Sequence, residues 1–213
     1  FLFIDAEDQG NIDSGTFNNW NWCEGSRWFA TQMQNSPEKF LSADQTLGDI
    51  KGFILLDMVG GTNLEFIKEL HSNLEIEENL FNIGQSLGYS SAFPNTSTRY
   101  RITDDHVFIG RIGIPVAVLI IKFWGSNLNW PYHHTHKDNL ENIDPISLEI
   151  TGKTVLAFIE QKIENHSMDV NPKWQVWLKS VSFGWQTFWI SLVGVISIGF
   201  LLYIHISVQK TPK

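Results

Sequence analysis

Two clusters of side chains in this sequence of 213 residues are suited to acid–base or metal chemistry. Glu7 and Asp8 follow a short apolar run at the start of the chain, and His133, His134 and His136 lie within four residues further on. Of two adjacent acids, one can bind a metal ion while its neighbour transfers a proton. A solvated turn would also place two acids side by side, so the pair alone leaves both interpretations open. The histidine trio favours metal or proton chemistry over a purely structural role.

Further acids follow the same design. Asp57 ends a second apolar run, at residues 53–57, and is followed by two glycines. Asp104, Asp105 and His106 stand in a row. They could begin a helix, because acids favour its first turn, or they could orient a metal ligand and shuttle protons.

The elements that must position these side chains can be read from the hydrophobic pattern. Short apolar runs bounded by turn residues predict buried strands at residues 1–5, 53–57 and 116–123. Helical spacing and capping residues predict helices at residues 25–35, 63–74, 75–87 and 145–165. The long last helix should have Asp144 as its N-cap and Pro145 as its first residue.

Alternating strands and helices indicate an α/β fold: a three-layer sandwich with a central mixed, mostly parallel sheet flanked by helices. Ligands bind such sheets beyond the carboxyl ends of the strands. Glu7, Asp8, Asp57 and the histidine cluster should therefore meet at one edge, where they would suit a zinc site with an open position for water.

A loop between the first strand and the first helix contains Trp20 and Trp22. Loop tryptophans often line a binding cleft, because a rigid aromatic wall costs little entropy to present. Packing over the sheet would explain them equally well. These residues are therefore candidates for the substrate pocket.

Composition excludes several classes of protein. The net charge is −8, and the chain has no cluster of Lys and Arg, which argues against a nucleic-acid partner. The single cysteine, Cys23, excludes an intrachain disulfide framework and a cysteine-based zinc site. The chain starts with Phe inside an apparent strand, so we expect upstream sequence to precede it.

The end of the chain has the pattern of a membrane anchor. Residues 188–208 are nearly all apolar, and about twenty apolar residues are needed to span a bilayer. Trp185, Trp189 and Tyr203 stand near the two ends, as in aromatic belts. The alternative is a buried core helix, although nothing that follows could cover it.

The resulting domain prediction has four parts: a catalytic domain at 1–166, a tether at 167–184, a transmembrane helix at 185–208 and a short basic tail at 209–213. Lys210 and Lys213 in the tail favour its cytoplasmic placement. The predicted localisation is a single-pass membrane protein whose catalytic domain lies outside the cytoplasm.

Four sequence blocks together resemble the M28 family of zinc metallopeptidases, whose fold also includes the animal-type glutaminyl cyclases. They span roughly residues 1–160 in the family's order: IDAEDQG at 4–10, LLDMVG at 55–60, DDH at 104–106 with GIP at 113–115, and YHHT at 132–135 leading to Asp144. The family's upstream His-x-Asp motif and its metal-bridging Asp do not occur. The resemblance therefore implies the carboxy-terminal portion of such a domain.

The resemblance also implies roles for individual residues. Glu7 matches the general base, and Asp8 matches a zinc ligand that is more often Glu in the family. Asp57 matches the ligand of the second zinc in two-metal aminopeptidases. His134 matches the last histidine ligand, and residues 104–106 match a segment that lines the site.

Three functions remain in consideration. The leading hypothesis is a membrane-anchored zinc aminopeptidase acting on peptide substrates with one or two zinc ions. The second is a glutaminyl-peptide cyclotransferase with a single zinc, although His133 stands where cyclases usually have Trp, and Val118 where they have His. The third is a non-catalytic ectodomain of the same fold.

Overall fold

The computed structural model describes residues 2–8, 21–124 and 130–166. The helices in these ranges are α1 (Glu24–Asn35), α2 (Leu74–Ser86), α3 (Asp105–Arg111) and α4 (Pro145–His166). The strands are β1 (Phe53–Asp57), β2 (Lys68–Glu69), β3 (Arg99–Tyr100) and β4 (Val116–Ile120). Short 3-10 turns lie at Pro37–Lys39, Leu47–Asp49 and Leu140–Asn142.

The strands pair in parallel. β1 lies beside β4, with Phe53 opposite Val116 and Asp57 opposite Ile120, and β2 lies beside β3. All five residues of β4 are buried, as expected for the continuous aliphatic run of a parallel strand that is covered on both faces. The prediction of an α/β fold with parallel strands and helices is thus confirmed.

One hydrophobic cluster ties α1 to α3 and the start of β4. Ala30 and Met33 of α1 pack with Phe108 and Ile109 of α3 and with Val116. Ala30 and Met33 are three residues apart, a spacing that brings them to one face of α1. The cluster fixes the start of both helices relative to β4, and both starts contribute to the site described below.

The sequence located several elements correctly. The structure confirms the predicted helices as α1, α2 and α4, and the predicted strand at 53–57 as β1. Asp144 accepts a hydrogen bond from the N–H of Ile146 at 3.0 Å, which agrees with its predicted N-cap role. The strand predicted at 116–123 ends earlier, at Ile120, and Ile121 forms an isolated antiparallel bridge with Phe66.

Two predicted elements are wrong. Residues 2–6 form no strand, and Leu2 and Phe3 are 46% and 80% exposed. A strand needs a neighbour to complete its hydrogen bonds, and the ladders of the described residues do not include this run. The helix predicted at 63–74 is replaced by extended chain and β2, because the N–H of Phe66 and of Ile67 bond to carbonyls of distant segments, at 2.8 and 3.1 Å.

The chain divides into two compact units, Phe1–Ile150 and Thr151–Lys213. In the second unit, the ammonium of Lys162 lies 5.6 Å from the ring centroid of Phe158. The predicted tether, transmembrane helix and tail at 167–213 lie outside the described residues. Among the helices that are described, none has the length and apolarity needed to cross a bilayer.

Candidate active site

A cavity of about 560 Å³ opens in the first unit, where the carboxyl ends of β1 and β4 contribute Asp57 and Ile120 to its wall. Its lining is strongly acidic, with two histidines and two aromatic rings. The acids are Glu7, Asp8, Asp57, Asp104 and Asp138; the rings and imidazoles are Trp22, Phe123, His133 and His134; the rest are Met58, Arg101, Ile102, Thr103 and Ile120. The convergence of four separate sequence blocks at the carboxyl ends of the strands is what the α/β topology predicts.

The first turn of α1 holds Glu7 in place. The N–H groups at a helix start lack partners within the helix. Here the N–H of Cys23 donates to the carbonyl of Glu7 at 2.8 Å, and the N–H of Glu24 donates to that of Ala6 at 3.0 Å. A Cβ at Gly25 would overlap the carbonyl oxygen of Asp5, so only glycine permits this close approach.

Backbone strain is concentrated around the cavity. Among the described residues other than glycine, five have positive φ, and four of them adjoin the site: Ala6 (61°), Cys23 (58°), Met58 (49°) and His134 (55°). The left-handed conformation is unfavourable for residues with a Cβ and persists only where the surroundings impose it. Ala6 directly precedes Glu7, and Met58 directly follows Asp57, so the strained positions aim the two carboxylates.

The electrostatics favour protonated carboxyl groups. Burial raises the pKa of Glu7 to about 7, and the negative charges of Asp104 and Asp105 add to the shift. Burial, followed by the charges of Asp104 and Glu7, also holds the pKa of Asp57 well above its usual range. The side chains of Asp57 and Asp104 are hydrogen-bonded to each other, and this bond adds to the upward shift of the pKa of Asp57.

Asp104, Asp105 and His106 form the start of α3, and all three are buried. Asp104 caps the helix by accepting a hydrogen bond from the N–H of Asp105 at 2.6 Å. Only Asp104 lines the cavity. Burial raises the pKa of Asp105 while its hydrogen bond with Ser26 opposes that shift, and His106 Nε2 lies 3.2 Å from Glu69 Oε2. Asp105 and His106 therefore support the site from behind.

The histidine loop forms the aromatic side of the cavity. Trp22 stacks on His134 with ring centroids 5.3 Å apart and planes 5° apart. His133 stacks on His134 at 3.8 Å and lies 4.6 Å from the ring of Phe123. Burial, and then the neighbouring His134, lowers the pKa of His133. His136 is exposed and is not part of the cavity lining, so the trio separates into two site residues and one surface residue.

The cavity lining includes side chains of the types that bind zinc. Carboxylate oxygens and imidazole nitrogens are zinc ligands, and Asp8 and His134 present both types to the same space. Ligand atoms of Glu7, Cys23 and Asp104 lie within 4.8 Å of one another. Burial and the charge of Glu7 raise the pKa of Cys23 far above its ordinary value, which disfavours the thiolate form in the metal-free protein.

The cavity lining includes most of the residues that the sequence predicted for the site. Asp105 and His106 lie behind it, and Trp20 lies outside the described residues. The sequence reasoning missed Arg101 and Phe123 in the lining and the contact of Cys23 with Glu7. Arg101 could have been predicted as a lining residue, since it stands three residues before Asp104. Nothing in the sequence indicated that Cys23 touches Glu7.

The fold and the site define an α/β protein with an acidic, histidine-containing centre at the carboxyl ends of its parallel strands. Residues 1–159 match the family model for Peptidase family M28. This chain therefore belongs to peptidase family M28.

Individual relatives fall into two groups by name. A glutaminyl-peptide cyclotransferase of Gloydius blomhoffii is 30% identical over 152 residues, which are 63% of this chain and 38% of the relative. The crystal structure of an Acidobacteriales bacterium glutaminyl cyclase superposes with a TM-score of 0.58 at 28% identity, over 75% of this chain and 50% of that one. The crystal structure of a Zn-dependent exopeptidase from Parabacteroides distasonis superposes with a TM-score of 0.57 at 35% identity, over 72% of this chain and 51% of that one. The chain thus spans about half the length of these two solved structures and 38% of the length of the curated relative.

Proposed function

We propose that the protein is a zinc-dependent enzyme acting at the amino terminus of peptides, and that it cyclises amino-terminal glutamine. The observation that carries this choice is the 30% identity to the glutaminyl-peptide cyclotransferase of Gloydius blomhoffii, together with the cavity that brings Glu7 beside Asp8 and His134. The sequence alone favoured an aminopeptidase, in which Asp57 would bind a second zinc. In the cyclase hypothesis the centre holds a single zinc, and Asp57 binds no metal.

Asp8 and His134 are the residues that would hold the zinc ion. When bound there, zinc would polarise the carbonyl group that is attacked. Asp57 and Asp104 line the same cavity and are hydrogen-bonded to each other, and their carboxyl oxygens would bind the amino group of a substrate.

Glu7 is the proton carrier in this proposal. In the cyclisation, the α-nitrogen of glutamine bonds to its own side-chain carbonyl carbon, and the bond from that carbon to the amide nitrogen breaks. Glu7 accepts the proton that the attacking amine loses and donates it to the leaving nitrogen, which departs as ammonia. A carboxyl group with a pKa of about 7 can both accept and give a proton near neutral pH.

Aminopeptidase activity is the second candidate. It is favoured by the 35% identity to the Zn-dependent exopeptidase from Parabacteroides distasonis. In that reaction, Glu7 would take a proton from water and pass it to the leaving amine of the peptide bond. The two candidates share Asp8 and His134 as zinc ligands and Glu7 as the base; they differ in the nucleophile and in whether Asp57 binds a second zinc.

Mass spectrometry of two peptides separates the candidates. The protein is incubated with zinc and with one peptide beginning in Gln and one beginning in Leu. Loss of ammonia from the Gln peptide alone, abolished by a chelator, is the expected result. Release of a whole amino-terminal residue would instead establish the aminopeptidase. If neither peptide changes with zinc present, catalysis is excluded for these substrates. The hypothesis of a non-catalytic ectodomain then replaces the two enzyme hypotheses.

We also propose that residues 185–208 anchor the protein in a membrane with the catalytic domain outside the cytoplasm. The proposal rests on the apolar run of that segment and on its flanking aromatic residues. Extraction of membranes with alkaline carbonate tests it. An anchored protein stays in the pellet, and release into the supernatant would refute the anchor.

A further inference from the structure

We propose that Cys23 is a positioning residue for Glu7: its thiol donates a hydrogen bond to the catalytic carboxylate and fixes the orientation of that group. This inference rests on the role of Glu7 in the proposed function. It assigns the single cysteine of the chain to the machinery of the site without making it a metal ligand.

Cys23 contacts Glu7 through both its side chain and its backbone. Its Sγ atom lies 3.7 Å from Glu7 Oε1, a hydrogen-bonding distance for sulfur, and its backbone N–H donates to the carbonyl of Glu7 at 2.8 Å. Cys23 itself is fully buried, and the hydroxyl of Ser26 donates to its carbonyl at 3.0 Å. A donor that is fixed on a helix start therefore holds the carboxylate from the side of α1.

The surroundings keep the sulfur in the form that can donate. Burial, and then the negative charges of Glu7 and Asp105, raise the pKa of the Cys23 thiol far above its ordinary range. A thiol is a weak donor. It can orient Glu7 without stabilising the carboxylate form as strongly as a charged donor would, so the group keeps its capacity to accept a proton.

The competing explanation is packing alone. Cys23 belongs to the hydrophobic cluster of α1 and α3, in which a buried cysteine can serve as a small apolar residue. In that case a valine of similar size would replace it without affecting Glu7. The two explanations differ in whether the S–H group senses the carboxylate.

Infrared spectroscopy of the S–H stretch tests this point without any assay of activity. Cys23 is the only cysteine of residues 1–213, and comparison with Cys23→Val assigns its band. Glu7→Ala should move the band to higher wavenumber, since it removes the acceptor. Glu38→Gln, on the exposed turn after α1, should leave the band unchanged. An S–H band that is identical in Glu7→Ala and the original protein would overturn the proposal.

Steady-state kinetics supply the second readout. We expect Cys23→Val to lower kcat by about tenfold with KM nearly unchanged, and Cys23→Ser, which keeps a donor, to recover most of the loss. Thermal unfolding and zinc content confirm that both variants are folded and loaded. Equal kcat in Cys23→Val and the original protein, or a serine variant no better than valine, would refute positioning. If no peptide turns over, the proposed function fails, and the infrared result still decides the contact.

Discussion

Two groups of buried acids in the first unit differ in how far hydrogen bonds and cations offset the cost of their burial. Glu69 is fully buried, yet its carboxylate accepts hydrogen bonds from the N–H groups of His71, Ser72 and Ile102 at 2.6, 2.8 and 3.2 Å. Burial alone would raise the pKa of Glu69, but the hydrogen bond from His106 and that from Ile102 outweigh burial and hold the pKa below its usual range.

The neighbouring Glu77 extends this compensated group. Its Oε1 accepts the N–H of Glu69 at 2.7 Å, and its Oε2 lies 2.6 Å from a guanidinium nitrogen of Arg99. Burial still raises the pKa of Glu77, although the backbone hydrogen bond and Arg99 oppose it. These acids join β2, β3 and the starts of α2 and α3, which is a structural task.

The acids of the cavity have mainly one another as neighbours. Burial and the like charges of the other carboxylates raise the pKa of both Glu7 and Asp57. Such a cluster lowers the stability of the fold, and acids whose pKa is perturbed in a cleft are typical of catalytic sites. The comparison teaches that burial alone does not mark a functional acid: at Glu7 and Asp57 the hydrogen bonds from Cys23 and from the N–H of Met58 do not offset burial and like charges.

The largest effect should come from removing the proton carrier. Glu7→Gln should lower kcat by roughly 10²–10⁴-fold, because the amide cannot accept a proton, while zinc content stays the same. Glu38→Gln serves as the exposed control. A rate within about tenfold of the original protein would exclude Glu7 as the base.

Glu69→Gln should cause the largest loss of stability. The amide would place N–H donors against the donors that now meet the carboxylate, so we expect a loss of about 3 kcal/mol and a thermal midpoint roughly 6–12 °C lower. Calorimetry of the metal-free protein measures this. A midpoint within about 2 °C of the original would show that the Glu69 network is not needed for stability.

Asp57→Asn should raise the stability of the fold, in contrast to Glu69→Gln. Burial and the charges of Asp104 and Glu7 raise the pKa of Asp57, so ionising Asp57 at pH 8 costs stability; an asparagine avoids this cost and keeps a donor for Asp104. The metal-free protein at pH 8 should melt about 2–4 °C higher, which corresponds to about 1 kcal/mol. Destabilisation by Asp57→Asn, measured in the same calorimeter, would contradict the proposed pairing.

The pH dependence of stability should show the smallest effect. The pKa of Glu7 is about 7 in the folded chain and near 4.5 in the unfolded chain, so the unfolded form loses its proton first as pH rises. The contribution of Glu7 is fully present below about pH 4.5 and is lost by about pH 7. Because Glu7 is partly solvent-exposed, we expect the metal-free midpoint to fall by only roughly 2 °C more in the original protein than in Glu7→Gln. Identical pH profiles of the two proteins would argue against the raised pKa.

Local patterns in the sequence predicted the elements whose own residues suffice to define them. α1, α2 and α4 have helical spacing, capping residues and stops within their own segments. The run at 63–74 was wrongly predicted as a helix because Leu64, Ile67 and Leu70 have helical spacing. Backbone N–H groups of this run instead donate hydrogen bonds to carbonyls that are distant in the chain. The opening run misled because a strand depends on its neighbour rather than on its composition.

The sequence by itself determined which residue types are available for chemistry: the carboxylates of Glu7, Asp8 and Asp57 and the histidines of the loop, each in a recognisable block. Only the tertiary structure decided which of them share a cavity, because His133 and His134 line it while His136 points to solvent. It also decided the protonation of the acids and the contact between Cys23 and Glu7. A pKa depends on burial and on charges brought close in space, and neither quantity is local in the chain.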